Sequence, residues 1–558
     1  MARLDRLGPA KEVAQIGSAI GREFSHALLA SVVRQPEVEL GSALDRLIEA
    51  GLLFRQGVPP HATYLFKHAL VQDAAYGTLL RQPRRALHAR IAETLESKFA
   101  EIAERQPELL ARHCTEAGLV EKAVRLWGKA GQRSLERSAL IEAVEQLTRA
   151  LGQTEALPAT PALRREQIKL QVALITPLMH VKGYAAPETK AAGERAHSLI
   201  GQAEALGEPP EDPLLLFSVL YGAWSPNYVA FNGDLALELA TQFLELAEKQ
   251  GGVVPIMIGH RLMGMSLLET GDIAQCRAHY NQAIALWDPA EHRPLATRFG
   301  QDVRVATLSY RSRALWILGY PEAALADSND ALKEAREIGQ AATLMFALCH
   351  VSFTCILCGN YAAANASLDQ LASLADEKGA LLWKAHGMWL RGCLLALTGK
   401  TSDAVQMITS ARAGWRSTGA TVFVPFYVSY LTKAYAELGQ FDAASCSIGE
   451  AITAMETTKE TWCEAEVHRI AGEIGLLSPD PDAAKAQAHF EHALAVARGQ
   501  QAKSWELRAA MSMARLWRDQ GKRDAARHLL APVYGWFTEG FDTLDLKEAE
   551  ALLDELYA

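Results

Sequence analysis

One short pattern, recurring at a fixed distance, constrains this chain more than any other feature. Gly319, Gly359, Gly399 and Gly439 each close a helical apolar run, and the separations 359−319, 399−359 and 439−399 are all 40 residues. Five residues past each glycine stands an alanine (Ala324, Ala364, Ala404, Ala444), and twelve past it comes Ala331, Leu371, Ala411 or Ala451. A period of roughly 20 to 50 residues belongs to stacked helical pairs, each of which hides its apolar face only against the next. The glycine has a physical reason: the first helix must stop in a left-handed turn, which costs a residue with a Cβ about 1 kcal/mol or more. The alanines let two antiparallel helices approach closely. The same spacing appears at Gly118, Ala123 and Ala130, at Gly271, Cys276 and Ala283, and at Gly521, Ala526 and Val533. Pro481, with Ala486 and Ala493, continues it, and Gly233 is read as a further unit although Glu238 stands five residues on. The expectation is an all-α, tetratricopeptide-like α-solenoid whose units run longer than the usual 34 residues or so.

A solenoid grows in one dimension, so the 558 residues need not be divided into several globules. Hydrophobic residues at 49% and charged residues at 22% exclude a mainly disordered chain. A formal net charge of −9 argues against general attraction to nucleic acid or anionic lipid, and the only local basic run is Arg81 to Arg90. Eight cysteines scattered along the chain read as reduced thiols, and the opening MARLDRLGPAKEVAQ carries no apolar stretch. A cytoplasmic protein without a secretory signal is expected. Residues 341–358 form an 18-residue run without a formal charge, the lower edge of a membrane span. The run ends in register on Gly359 and contains Thr343, His350, Ser352 and Thr354, so a buried first helix of a repeat is the better reading and no membrane partner is expected.

Residues 1–100 follow another pattern. Helical periodicity over Ala10–Ile20, Ser25–Val33 and Glu39–Ala50 precedes two short arms, Gly51–Arg55 and Thr63–Lys67, around a Gly-Val-Pro-Pro turn. Helices followed by a hairpin point to a small winged-helix-like domain, with further helices over His68–Leu80 and Pro83–Phe99. A first helical-repeat segment is expected over 101–205. Proline-rich residues 158–226, with a loop at 206–213, read as a break or bend, and the main solenoid over 206–543 ends in a capping helix over 544–558.

Candidate chemistry is sparse. Gly399-Lys400-Thr401 has the ending of a phosphate-binding loop, but the glycine needed five residues earlier is Leu394, and the tripeptide falls on a repeat turn. Cys355 and Cys358, with Cys349 nearby, lie inside a long apolar helix and read as packed thiols. His489 and His492 sit three apart on one helix face, within reach of one metal, yet no third ligand is apparent, so a solvated face is preferred and no metal is expected. No Ser/His/Asp or Cys/His arrangement announces a nucleophile, and no catalytic residue is assigned. Trp383, Trp389, Tyr427 and Tyr430 lie on first helices, which line the concave side of such solenoids, and are the candidates for a protein or peptide contact surface.

The stretches RLDRLGPAKEVAQIGSAIGREFSHALL, ATYLFKHALVQDAAYGTLLRQPRRALHARIAETLE, QPELLARHCTEAGLVEKAVRLWGKAGQ and QAKSWELRAAMSMARLWRDQGK, with the ending APVYGWFTEGFDTLDLKEAEALL, resemble bacterial signalling proteins. In these, a class III adenylate/guanylate cyclase domain is followed by a STAND-type AAA ATPase and a tetratricopeptide tail. The resemblance covers the part after the nucleotide-binding core. It implies that this chain begins near the lid of the ATPase, that residues 1–100 hold the lid remnant and winged helix, and that the cyclase and P-loop domains would precede Met1. It also implies a role for His68 in contacting the phosphates of ADP, so ATP or ADP enters only if an ATPase domain is supplied. The expected function is a non-catalytic regulatory and protein-interaction module. The alternative is a component of a cyclase or ATPase that becomes active with a nucleotide-binding domain from another chain. A DNA-binding regulator using the wing is a third reading, opposed by the acidic charge.

Overall fold

The computed structural model describes residues 7–208 and 211–558, so Pro209 and Pro210 of the expected 206–213 loop and the first six residues of the opening segment lie outside the described residues. The chain divides into two compact units, Met1–Ser134 with Glu142–Leu170, and Leu135–Ile141 with Gln171–Ala558. The helical segment expected over 101–205 is therefore shared between them.

The first unit opens with helices Pro9–Ile20, His26–Val32 and Glu37–Glu49 and carries a three-stranded antiparallel sheet of β1 (Glu23–Ser25), β2 (Leu53–Gln56) and β3 (Thr63–Phe66), in the order β1-β3-β2. Alternation along β3 buries Tyr64 and Phe66 and exposes Leu65. The two expected arms pair as a hairpin, with Arg55 opposite Tyr64. The third strand, β1, escaped the sequence reading because three residues are too few to display alternation. Phe24 anchors it, its ring 5.8 Å from that of Tyr64, in space left by Gly17, where a Cβ would come within 2.7 Å of the phenyl. Helices Ala69–Gly77, Arg81–Lys98, Pro107–Ala117 and Val120–Glu136 follow.

The second unit is built of antiparallel helix pairs at the expected pitch. Gly271, Gly319, Gly359, Gly399, Gly439 and Gly521 all take a left-handed conformation, with φ between +72° and +94°. Ala324, Ala364, Ala404 and Ala444 behind them are at most 1% exposed. A second register, half a period out of phase, ends the second helices: Gly339, Gly379 and Gly419 are left-handed, and Lys459 takes the same conformation at φ +63°. One anchor is corrected. Gly233 begins the helix Gly233–Gln250 behind an Asn232 cap, and the position in register with Gly271 is Phe231, after which Ala236 and Phe243 are the buried closing residues. The proline-rich stretch 158–226 is also more regular than expected: helices Pro161–Val181, Pro187–Ala205 and Leu214–Val229 fill it, with Pro177 and Pro226 inside them.

What the repeat could not reveal is how tightly this unit curls. The carbonyl of Val229 accepts hydrogen bonds from the amides of Thr421 (2.9 Å) and Val422 (3.0 Å), and that of Glu269 from Thr461 (2.9 Å) and Trp462 (3.2 Å). Both links span the same interval, 421−229 and 461−269, or 192 residues. The end of one first helix is thus tied to the start of another about five units on. The series continues with Ser504 Oγ donating to the carbonyl of Trp316 and Arg508 Nη2 to that of Leu357 at 3.0 Å. First helices consequently meet across the axis, and the surface expected to be concave and open is interior. That explains the uncharged run at 341–358: the helix Ala341–Leu357 is buried on every side, and its polar groups are satisfied locally, as in Ser312 with Thr354 at 2.9 Å and Ser352 Oγ to the carbonyl of Leu348 at 2.7 Å. No helix among the described residues is long and apolar enough to cross a membrane. At the far end, helix Leu544–Tyr557 buries Leu546, Leu552 and Leu556.

Candidate ligand cavity between the first helices

Two arginines on these first helices are fully buried, Arg261 in Val253–Glu269 and Arg313 in Val303–Ile317, each 1% exposed. Removing an ion from water costs several kcal/mol unless a partner replaces the solvent. Arg313 has its partner. Its Nη2 donates to Glu269, a carboxylate that also accepts from the Tyr228 hydroxyl at 2.7 Å. The rings of Phe423 and Trp462 lie 4.8 Å from the guanidinium carbon, those of Tyr310 and Phe353 at 5.5 and 5.7 Å, so ring faces take the place of further acceptors. Burial opposes the charge on Arg313, but Glu269 outweighs it and raises the pKa. Nearby, burial and then the Glu269 charge push Glu460 up to about 8, against hydrogen bonds from Trp462 Nε1 (3.0 Å) and the Phe423 amide (2.8 Å). That shift favours the protonated form of Glu460 beside the Glu269–Arg313 pair.

Arg261 is different. Its Nη2 donates to Gln301 Oε1 at 3.1 Å, while Nε and Nη1 find no acceptor, and no ion pair with a carboxylate forms among the described residues. Its guanidinium carbon lies 5.8 Å from the centre of the Tyr221 ring. The group borders a cavity of about 50 Å³ walled by Trp224, Tyr228, Tyr310, Trp383, Trp415 and Phe423. Burial raises the pKa of Asp302, whose Oδ2 is unpartnered, against the nearby Arg261 charge. Burial lowers His386 to about 3 and depresses His350, and it keeps the hydroxyls of Tyr184 and Tyr310 protonated. The cavity therefore offers one cation with no carboxylate in hydrogen-bond contact, protonated phenols as donors and aromatic walls, which is the chemistry of an anion site. A volume of 50 Å³ is about a third of the 150 Å³ that accepts benzene. It suits an anion of a few non-hydrogen atoms, and not a peptide.

Of the aromatic residues singled out in the sequence, Trp383 lines this cavity, its Nε1 donating to His180 Nδ1 at 3.2 Å. Trp389 and Tyr427 are fully buried beside it, stacked at 4.8 Å, and Tyr430 is 2% exposed. The four form interior packing and no open surface in this state. Arg261, Gln301 and Tyr221 were missed. The available signal was a lone arginine in the middle of an apolar helix, VVPIMIGHRLMGMSLLE. His68 is exposed at the N-terminus of helix Ala69–Gly77, with no side-chain capping bond. Lys400 occupies a turn before helix Thr401–Ser417. Cys349, Cys355 and Cys358 are buried free thiols, and burial pushes Cys355 up to about 11, far from a reactive thiolate. His489 and His492 lie against His468 of the preceding helix, the rings of His468 and His492 only 4.1 Å apart.

No protein-family model matches the chain. It is similar to the uncharacterized protein R02095 of Rhizobium meliloti (strain 1021), 25% identical over 479 residues that make up 84% of this chain and 45% of that protein. The chain thus spans about half the length of the curated relative it matches. Among solved structures it is similar to a Rap protein complexed with competence and sporulation factor (TM-score 0.48, 12% identity, 70% of this chain and 99% of that one). It is also similar to a STAND protein with a tetratricopeptide repeat sensor from Pyrococcus horikoshii (TM-score 0.28, 12% identity, 98% of this chain and 64% of that one).

Proposed function

We propose that this chain is a regulatory helical-repeat module that reads a small carboxylate or comparable oxyanion in the interior of its second unit. The observation that carries the reading is Arg261, a fully buried guanidinium with Nε and Nη1 unused, facing an aromatic cavity. Such a charge is costly in the free protein, and an arriving carboxylate would supply the acceptor that Nε or Nη1 lacks, in a charge-assisted hydrogen bond. Because the cavity lies between first helices tied together across 192 residues, filling it would stiffen the whole curl, which is how occupancy would become a signal.

The output rests on the resemblance described above: gating of a STAND-type ATPase and a class III cyclase, with this chain itself non-catalytic. The greater length of the Rhizobium relative supports output domains outside the matched stretch, on the same polypeptide or on a second chain. In that arrangement the exposed His68 would contact the phosphates of ADP held by the ATPase, a suitable role for an imidazole at a helix N-terminus.

The test is tryptophan fluorescence of the purified chain titrated with formate, acetate and propionate, since Trp224, Trp383 and Trp415 line the cavity. Saturable quenching by at least one of them, lost in Arg261→Met, is the expected result. A signal that never saturates, or one that Arg261→Met leaves intact, would refute the reading.

A further inference from the structure

We propose that Glu464, His468 and His492 form a binding site for a divalent transition-metal ion of the zinc class. Glu464 and His468 are four apart on helix Glu464–Leu477, and His489 and His492 three apart on helix Ala483–Gly499, so each pair shares one helix face. The two faces meet. His492 Nε2 lies 3.0 Å from Glu464 Oε1, the rings of His468 and His492 are 4.1 Å apart, and one ligand atom from each of the three residues falls within 4.8 Å of the other two. Ligand atoms about 2.0–2.2 Å from a tetrahedral zinc stand roughly 3.4 Å from one another, so this set, spread over at most 4.8 Å, would draw together on an ion. His468 Nδ1 is 3.1 Å from His489 Nδ1, which leaves Nε2 of His468 for the ion. Two imidazoles and one carboxylate suit Zn²⁺ and its neighbours better than Mg²⁺ or Ca²⁺, which prefer all-oxygen shells, and the fourth position stays open to water.

The cluster stands where the array is least constrained by its turn. At Gly271, Gly319, Gly359, Gly399, Gly439 and Gly521 a left-handed glycine joins the first helix to the second within three residues, whereas here Ser478–Asp482, with Pro481 at the glycine position, makes a five-residue turn. A metal bridging the two helices would supply the clamp that the short turn supplies in the other repeats. All three ligands are reachable from solvent, with side chains of His492 and Glu464 49% and 25% exposed. None of them borders the interior cavity, so this proposal stands or falls separately from the anion reading.

Two other histidine pairs provide internal controls. His260 with His279 and His88 with His113 approach at 2.9 and 2.8 Å between Nδ1 atoms, yet neither joins a third metal-ligating residue among the described residues. The experiment uses the full chain, stripped with EDTA and desalted, titrated with Co²⁺ by visible absorption and with Zn²⁺ by calorimetry. The expected result is one ion per chain with a Kd on the order of 1 µM, intense tetrahedral-type Co²⁺ bands, and a melting temperature raised by Zn²⁺. His492→Ala and Glu464→Gln should each weaken binding by about tenfold or more while leaving the circular dichroism and melting of the metal-free chain unchanged. His260→Ala combined with His279→Ala should bind as the wild type does. Absence of stoichiometric binding in the wild type would overturn the proposal, as would binding that survives both ligand substitutions or disappears with the His260/His279 change.

Discussion

Arg261 and Arg313 occupy neighbouring first helices, are equally buried, and could hardly differ more in their surroundings. Arg313 is closed in by Glu269 and four ring faces, and its charge is part of the packing. Arg261 has a glutamine, a tyrosine face and an unfilled space. A buried charge paired with a carboxylate behaves as a structural pin, and one without a carboxylate behaves as a receptor, because its counter-ion can still come from a ligand. Burial alone does not separate them. Nor does the count of hydrogen-bonded donors, since Nε and Nη1 lack an acceptor in both; the carboxylate and the ring faces around Arg313 do.

The sharpest way to break that comparison is to strip the matched arginine of its carboxylate. Glu269→Gln leaves Arg313 charged and buried without a counter-ion, and is expected to cost about 3–5 kcal/mol in urea unfolding. A loss under about 1 kcal/mol would mean the rings alone hold the charge. A smaller, pH-dependent effect is expected at Glu460. Its folded pKa of about 8 lies above the unfolded carboxyl value, so the native state keeps a proton that the unfolded chain releases. Stability therefore falls as pH rises from the unfolded value towards 8, by at most about 1.4 kcal/mol per pH unit. Glu460→Gln removes this slope, so the unfolding free energy of the variant minus that of the wild type should rise from pH 6 to pH 8. A constant gap would place Glu460 as an ionised member of the network. The smallest stability effect belongs to Arg261→Met, about 1 kcal/mol or less, since the charge removed has no ion partner to strand. A loss as large as that of Glu269→Gln would mean that Arg261 is a second pin, and the distinction between the two would disappear.

Backbone turns offer a parallel pair. Gly359 and Gly399 have nearly the same φ, +76° and +75°. A Cβ at Gly359 would come within 2.5 Å of Leu544, while at Gly399 it would meet nothing within 4 Å. Both replacements by alanine carry the left-handed penalty of about 1 kcal/mol. Gly359→Ala should add a packing cost on top, visible as the larger drop in thermal midpoint.

The 40-residue pitch was legible because each turn repeats one local requirement, a left-handed residue followed by a small one, and such requirements are written in single positions. The half-period register was less legible, since Lys459 fills a place that glycine holds elsewhere. Gly233 misled for the converse reason: it is a glycine near a turn that the turn does not use, and Ala236 and Phe243 mark the true phase. In the site, Trp383 was found and Arg261 was not. An aromatic residue at helical spacing is visible one helix at a time, whereas the meaning of an arginine depends on whether a carboxylate arrives from elsewhere in the chain.

The order of helices, their turns and the faces they bury against their immediate neighbours were determined by the sequence alone, because those interactions join residues at most one repeat apart. The tertiary structure alone decided the curl that brings Val229 to Thr421 and Glu269 to Thr461. A small rotation per repeat, too slight to read at any one position, accumulates over about five units until the first helices face one another. That closure turned the expected concave contact surface into an interior, seated Arg313 among its rings, and placed Arg261 at the edge of the cavity.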